Sequence, residues 1–225
     1  MGSAALAVLF DLDCTLTDRV QTVRAYARYF VRDYRTRFRV AGEMAVAEEL
    51  LRLDAHGYNP NRSADLAAHP AFTDAPSAEE LAAHWFEHFA QATVERSGAR
   101  ATLEALRERG LRLGLITNGP RIKQQHKVDR LGVRHLLETV LVSAEVGLEK
   151  PDPRIFHRAA GDLGVAPGRC LFIGDNPEKD VLGAEQAGMQ PVWIPAELPW
   201  PEALPAPRTV IRELRELLDL PALGP

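Results

Sequence analysis

Residues 5–18 read Ala-Leu-Ala-Val-Leu-Phe-Asp-Leu-Asp-Cys-Thr-Leu-Thr-Asp, and this stretch decides the fold. An apolar run at 5–10 ends abruptly in two carboxylates, Asp11 and Asp13, followed by the hydroxyl of Thr15. A short apolar run without polar alternation reads as a strand buried on both faces. Acids at its carboxyl end fit the crevice of an open parallel sheet, where ligands gather. Strand alternation, continued past the end, puts Asp11 and Asp13 on one side. Two carboxylates that close repel each other unless a cation or a proton lies between them. A hard divalent ion such as Mg²⁺ takes one or two carboxylates plus substrate phosphate oxygens, and so meets that need.

The 225 residues make one large domain or one and a half, enough for a sizeable core. A hydrophobic fraction of 46% with 26% charged residues is ordinary for a globular protein. The net charge of −4 argues against a general binder of nucleic-acid polymers or membrane surfaces. No apolar run reaches the length of a membrane span, and the N-terminus lacks the basic region of a signal peptide. Two cysteines, Cys14 and Cys170, make no disulfide framework. A cytoplasmic location is the expectation.

Residues 17–98 contain no further strand-like run with acids at its end. Residues 20–38 have helical period, with Val23, Ala27, Phe30, Tyr34 and Phe38 as the apolar face. Residues 42–54 read as a second helix, broken at 56–60. Ser77 with Glu80 three positions on marks the start of a third, running to about 95. About 80 helical residues are therefore inserted after the first strand. Beyond Gly98 helices and strands alternate. Helices are read at 101–109, 120–131, 153–163 and 177–187, and strands at 111–117, 139–143, 170–174 and 190–194. Pro near helix starts and Gly just past their ends repeats along this half. The rhythm predicts an α/β fold, a doubly wound parallel sheet with helices on both faces. A proline-rich connection at 195–207 leads to a last strand at 209–211 and a closing helix at 212–218.

Polar clusters recur at the strand ends. After the second strand comes Thr117-Asn118-Gly119, whose hydroxyl, amide and helix-start N–H groups suit a phosphate oxygen. After the third comes Lys150-Pro151, a point charge in a proline-stiffened loop. After the fourth comes Gly174-Asp175, with Asp180 five residues on, acids that can complete an oxygen site for Mg²⁺. Taken singly, each has a plainer reading: Thr117 and Asn118 as helix caps, Lys150 as a loop lysine, Asp175 and Asp180 as charges at a helix start. Four in this order, each at a strand end, make coincidence improbable.

The set D-x-D-x-T, T-N-G, K-P and G-D-x-x-x-x-D resembles the four motifs of the haloacid-dehalogenase superfamily of phosphohydrolases, over residues 5–194. The place of the helical insert resembles the subfamily with a C1 cap. Residues 116–127 and 142–156 look like the branch that holds nucleotidases and N-acylneuraminate-9-phosphatases. The resemblance implies a Rossmann-like core of residues 1–17 and 98–225 and a helical cap of 18–97. It implies a Mg²⁺-dependent phosphatase, monomer or homodimer, acting on a small phosphomonoester such as a nucleoside monophosphate or a sugar phosphate. Asp11 would be the nucleophile and Asp13 the acid and base. Thr117, Asn118 and Lys150 would hold the phosphate. Asp11, Asp175 and the carbonyl of Asp13 would ligate the metal, with Asp180 in its outer shell. The family also holds phosphomutases and 2-haloacid dehalogenases, and a phospho-accepting regulator combines similar groups. Dehalogenases lack the second acid that Asp13 supplies. The sequence departs at Cys14, where Gly or Asn is common.

Other features are read as structural. Arg24, Arg28, Arg32, Arg35 and Arg39 form a helical stripe expected to be a solvated face. His84 and His88 stand one turn apart without an evident third ligand, and so are read as a helix surface. Trp85 and Cys170 are expected in cores, and Cys14 as an inert thiol.

Overall fold

The computed structural model describes residues 5–39, 42–57, 59–196 and 198–224. The apolar run forms strand β1 (Ala7–Phe10), buried along its whole length. Val8 and Phe10 face one core, with Leu103, Leu106 and Val128. Ala7 and Leu9 face another, with Ile155, Phe156 and Phe172. Both faces are covered, which is why the run carries no polar alternation. The other strands are β2 (Arg112–Thr117), β3 (Thr139–Val142), β4 (Cys170–Gly174) and β5 (Gln190–Trp193). They pair in the order β3-β2-β1-β4-β5, every pair parallel. Strand order reverses on either side of β1, so the crevice of this sheet opens at the end of β1, where the two acids begin.

The chain divides into two compact units: Arg19–Val94, and Met1–Asp18 together with Glu95–Pro225. Asp18 and residues 95–97 belong with the sheet.

The inserted unit is helical: α1 (Arg19–Tyr34), α2 (Glu43–Asp54), α3 (Arg62–Ala67) and α4 (Ala78–Phe89). The face read from the sequence is its core. Val23, Ala27, Phe30, Tyr34 and Phe38 are buried with Leu50, Leu81, Trp85 and Phe89. Trp85 stacks on Phe89, and the guanidinium of Arg62 lies 3.7 Å from its ring. Buried Asp54 is held by Arg19 at 2.8 and 2.9 Å and by Arg62 at 3.0 Å, which satisfies a charge that burial alone would destabilise. The first helix stops at Tyr34, short of the expected 38, because Phe38 turns to make a single bridge with Phe72. Ser77 Oγ accepts from the Glu80 N–H at 3.1 Å, as its position predicts, but α4 ends at Phe89. α3 was not foreseen, since only Leu66 of it is buried. Arg24 and Arg28 pair with Glu48 and Glu43 on an exposed surface. α1 supplies a third polar group beside His84 and His88. Asp33 Oδ2 lies 3.0 Å from His84 Nε2 and 3.9 Å from His88 Nε2. Hydrogen bonds already engage this cluster: His84 Nδ1 meets the Tyr26 hydroxyl at 2.7 Å, and Arg32 takes both Asp33 oxygens.

In the sheet unit the crossovers carry α5 (Ala99–Glu108), α6 (Arg121–Leu131), α7 (Ser143–Val146), α8 (Pro153–Asp162) and α9 (Gly183–Gln186). The helix expected at 177–187 opens instead as a π-wound turn, Pro177–Leu182. Residues 209–211 form one bridge to β5 rather than a strand: prolines precede them, and Glu213 caps a 3₁₀ turn, Leu214–Asp219, directly after. Among the described residues, no helix is long and apolar enough to cross a membrane.

Candidate active site

The acids, the lysine and the hydroxyl picked out along the chain meet at the carboxyl ends of β1, β2 and β4. Lys150 is the centre of the set, its side chain only 2% exposed. Its Nζ donates to Asp11 Oδ1 at 2.5 Å and to Asp180 Oδ1 at 2.6 Å. Asp180 comes from the π-wound turn, and its Oδ2 accepts from the Asn176 N–H at 2.9 Å. Gly174 makes this possible. A Cβ there would lie 2.4 Å from the Asp180 carboxyl carbon, so glycine alone lets the carboxylate lie against the strand end.

Carboxylate oxygens of Asp11, Asp175 and Asp180 lie within 4.8 Å of one another, all buried. Fully ionised, the three acids against the one ammonium of Lys150 would carry two negative charges in excess. Burial pushes the Asp11 carboxyl up to about 7, with Lys150 pulling it down and Asp180 pushing it up. Burial, then Asp11, pushes Asp175 up to about 8. Burial opposes the charge on Lys150, but Asp11 and Asp180 outweigh it and hold the ammonium firmly protonated. Buried oxygen donors that hold protons for want of a second counter-charge fit a hard divalent cation. The Thr15 hydroxyl is buried as well and has no hydrogen-bond partner among the described residues.

Asn118 is placed differently from the simplest expectation. Its carboxamide is spent on the backbone of Lys150, accepting from the Lys150 N–H at 2.9 Å and donating to its carbonyl at 2.8 Å. The side chain thus fastens the lysine loop to the T-N-G turn. The Gly119 N–H is likewise engaged, by Ser143 Oγ at 2.9 Å. Thr117 is buried at the end of β2, and its Oγ1 accepts from Gln124 Nε2 at 2.5 Å.

Asp13 is more open than the other acids, its side chain 33% exposed. Its carboxylate is gripped by two residues that the sequence reading missed. Lys127 Nζ donates to both oxygens, at 2.6 and 2.8 Å, and Gln124 Nε2 donates to Oδ2 at 2.9 Å. Both stand on α6, the helix that follows T-N-G. Gln124, Lys127, Val128 and Leu131 are its buried residues. The spacing of three, four and seven is that of an apolar stripe, so two polar residues in phase with Val128 and Leu131 were the available signal.

Two backbone details brace the loop after β1 and the end of β4. Cys14 has φ 63°, the left-handed region that favours Gly or Asn. That is a reason for Gly or Asn at this position, and nothing in the structure explains the cysteine. The Cys14 carbonyl accepts from Arg96 at 2.5 Å. The Trp193 indole N–H donates to the Asp175 carbonyl at 2.9 Å.

Residues 6–188 match the family model described as haloacid dehalogenase-like hydrolase. The chain is 42% identical to phosphoserine phosphatase of Thermus thermophilus over 125 residues, 56% of this chain and 50% of that one. It is 33% identical to glyceraldehyde 3-phosphate phosphatase of Pyrococcus abyssi over 195 residues, 83% and 80% of the two chains. It is 28% identical to human N-acylneuraminate-9-phosphatase over 237 residues, 98% and 94% of the two. The matches span half or less of the length of the first curated relatives, and most of the length of these last two. A family match over most of the chain, falling on a parallel sheet whose strand ends carry the motif residues, leaves one assignment: the chain belongs to the haloacid dehalogenase-like hydrolases.

Proposed function

We propose that this hydrolase is a Mg²⁺-dependent phosphomonoesterase that works through an aspartyl-phosphate on Asp11. The observation that carries the reading is the contact of Asp11 with buried Lys150 at 2.5 Å, with Asp13 two residues on and partly exposed. A carboxylate attacking a phosphate must have its charge offset, and Lys150 does this from within the fold. Asp11 attacks phosphorus, and the bond from phosphorus to the ester oxygen breaks. Asp13 gives its proton to that oxygen, then takes one from the water that attacks the aspartyl-phosphate. The Thr117 hydroxyl, the main-chain N–H of Asn118 and the Lys150 ammonium hold the phosphoryl oxygens. Asp11, Asp175 and the Asp13 carbonyl would hold Mg²⁺, with Asp180 outside them. When bound, Mg²⁺ supplies charge neutralisation for the phosphoryl group.

The substrate class is a phosphate ester of a small primary alcohol. Phosphoserine, glyceraldehyde 3-phosphate and an acylneuraminate 9-phosphate, the compounds in the relatives' names, all carry phosphate on such a carbon. The nucleoside monophosphates and sugar phosphates expected from the sequence include members with the same ester. We assign to the helical unit, Arg19–Val94, the role of a cap that selects the leaving alcohol.

The test is phosphate release from primary, secondary and anomeric phosphate esters, with Mg²⁺ and with a chelator, for the wild type and Asp11→Asn. Chelator-sensitive release, abolished by the substitution and fastest on primary esters, is expected. Release that survives Asp11→Asn contradicts the mechanism.

A further inference from the structure

We propose that Lys127 and Gln124 are positioning residues for Asp13, and that their grip aims its carboxylate at the ester oxygen of the leaving group. The inference rests on the phosphomonoesterase reading above.

The contrast in burial is the starting point. Asp13 is 33% exposed, whereas Lys127 is 5% exposed and Gln124 fully enclosed. Burying a lysine costs desolvation and about 2 kcal/mol of side-chain entropy. The apolar core contacts of α6 come from Val128 and Leu131. Three donor contacts of 2.6–2.9 Å reach Asp13 from one side, across more than a hundred residues of chain. Lys127 spans both oxygens and fixes the plane of the carboxylate, and Gln124 adds a second donor to Oδ2.

Gln124 adds a second link. The same Nε2 donates to Thr117 Oγ1 and lies 3.3 Å from the Asn118 carbonyl. The group that aims the acid is therefore tied to the T-N-G turn that would hold the phosphate. Gly119 leaves the space for it, because a Cβ there would come within 3.2 Å of the Gln124 carboxamide. One short helix thus sets the distance between a phosphoryl oxygen site and the proton donor.

A proton donor matters most when the leaving group is a poor one. An alkoxide must be protonated as its bond to phosphorus breaks, whereas p-nitrophenolate leaves without help. General acid catalysis contributes roughly 10²–10⁴-fold. Misaimed Asp13 therefore costs the alkyl ester and largely spares the aryl one.

The experiment measures kcat/KM, which reports the steps through phosphoryl transfer, on an alkyl phosphate of a primary alcohol and on p-nitrophenyl phosphate. Lys127→Met and Gln124→Leu are each made alone and in an Asp13→Asn background, and circular dichroism reports folding. Each single variant is expected to lose roughly 10–100-fold on the alkyl ester and less than about 3-fold on the aryl one. In the Asp13→Asn background neither is expected to change the alkyl-to-aryl ratio further. Equal losses on both esters, or losses that add to that of Asp13→Asn, mean a merely structural role and overturn the proposal. A wild type that releases phosphate from neither ester overturns the phosphomonoesterase reading instead, so the two failures are told apart.

Discussion

Lys150 Nζ and Asp11 Oδ1 stand 2.5 Å apart although 139 positions separate them in the chain. The contact joins the end of the central strand to a loop beyond the third, and one ammonium serves Asp11 and Asp180 together. The two partners have opposite effects on stability. Lys150→Met leaves buried carboxylates unpaired and is expected to cost the metal-free protein roughly 3–5 kcal/mol. Asp11→Asn removes a charge that burial disfavours and is expected to raise the metal-free melting temperature while abolishing turnover. Thermal unfolding of both variants with a chelator present checks the two signs.

Through Asp11 and Asp175, the metal-free protein is expected to lose stability as pH rises. Asp11 and Asp175 are raised to about 7 and about 8, so the folded state binds more protons than the unfolded one between about pH 4 and pH 8. Their contribution is fully present below the unfolded carboxylate range and is lost as pH passes through the raised values. A cation that takes the place of those protons stabilises more where they are absent. The rise in melting temperature on adding Mg²⁺ is expected to be larger at pH 8 than at pH 5; an equal rise contradicts this.

Asn118 holds the Lys150 backbone through both ends of its carboxamide. Asn118→Ala removes two hydrogen bonds and frees the lysine loop without touching a charge. Activity is expected to fall roughly 10–100-fold, as when a group that orients a site residue is lost. Asn118→Asp keeps the acceptor but loses the donor, and steady-state kinetics are expected to place it below wild type.

Cys14 occupies the left-handed region at φ 63°. A Cβ costs roughly 1–2 kcal/mol there, and Asn offsets part of that cost because its short polar side chain hydrogen-bonds the local backbone. Cys14→Asn is expected to stabilise the protein by about 1 kcal/mol in denaturant unfolding. A destabilised variant contradicts the assignment of strain.

Much of this was legible in the chain. The run at 5–10 announced a strand covered on both faces, and Val8 and Phe10 do face a different core from Ala7 and Leu9. Asp11 and Asp175 were readable because each ends an apolar run, where charge has no packing role, and Lys150 and Asp180 because they stand in the loop and at the helix start that follow such strands. Gln124 and Lys127 were not seen, because polar residues inside a helix look like solvated surface unless their phase is checked against Val128 and Leu131. Asn118 was read as a ligand for phosphate, while its amide binds backbone 32 positions away, a partner that no spacing reveals. The fourth crossover helix opens in π winding, which carries Asp180 to Lys150 and which helical period does not distinguish from α.

The most direct test of the central claim is chemical trapping at Asp11. The wild type is mixed with substrate and Mg²⁺ and quenched with borohydride, which reduces an aspartyl-phosphate to homoserine, and the peptide containing residues 5–18 is sequenced by mass spectrometry. The account predicts homoserine at position 11 with substrate, and aspartate there without it. Phosphate release in the same mixture with position 11 unmodified, or homoserine appearing at another acid, would contradict it.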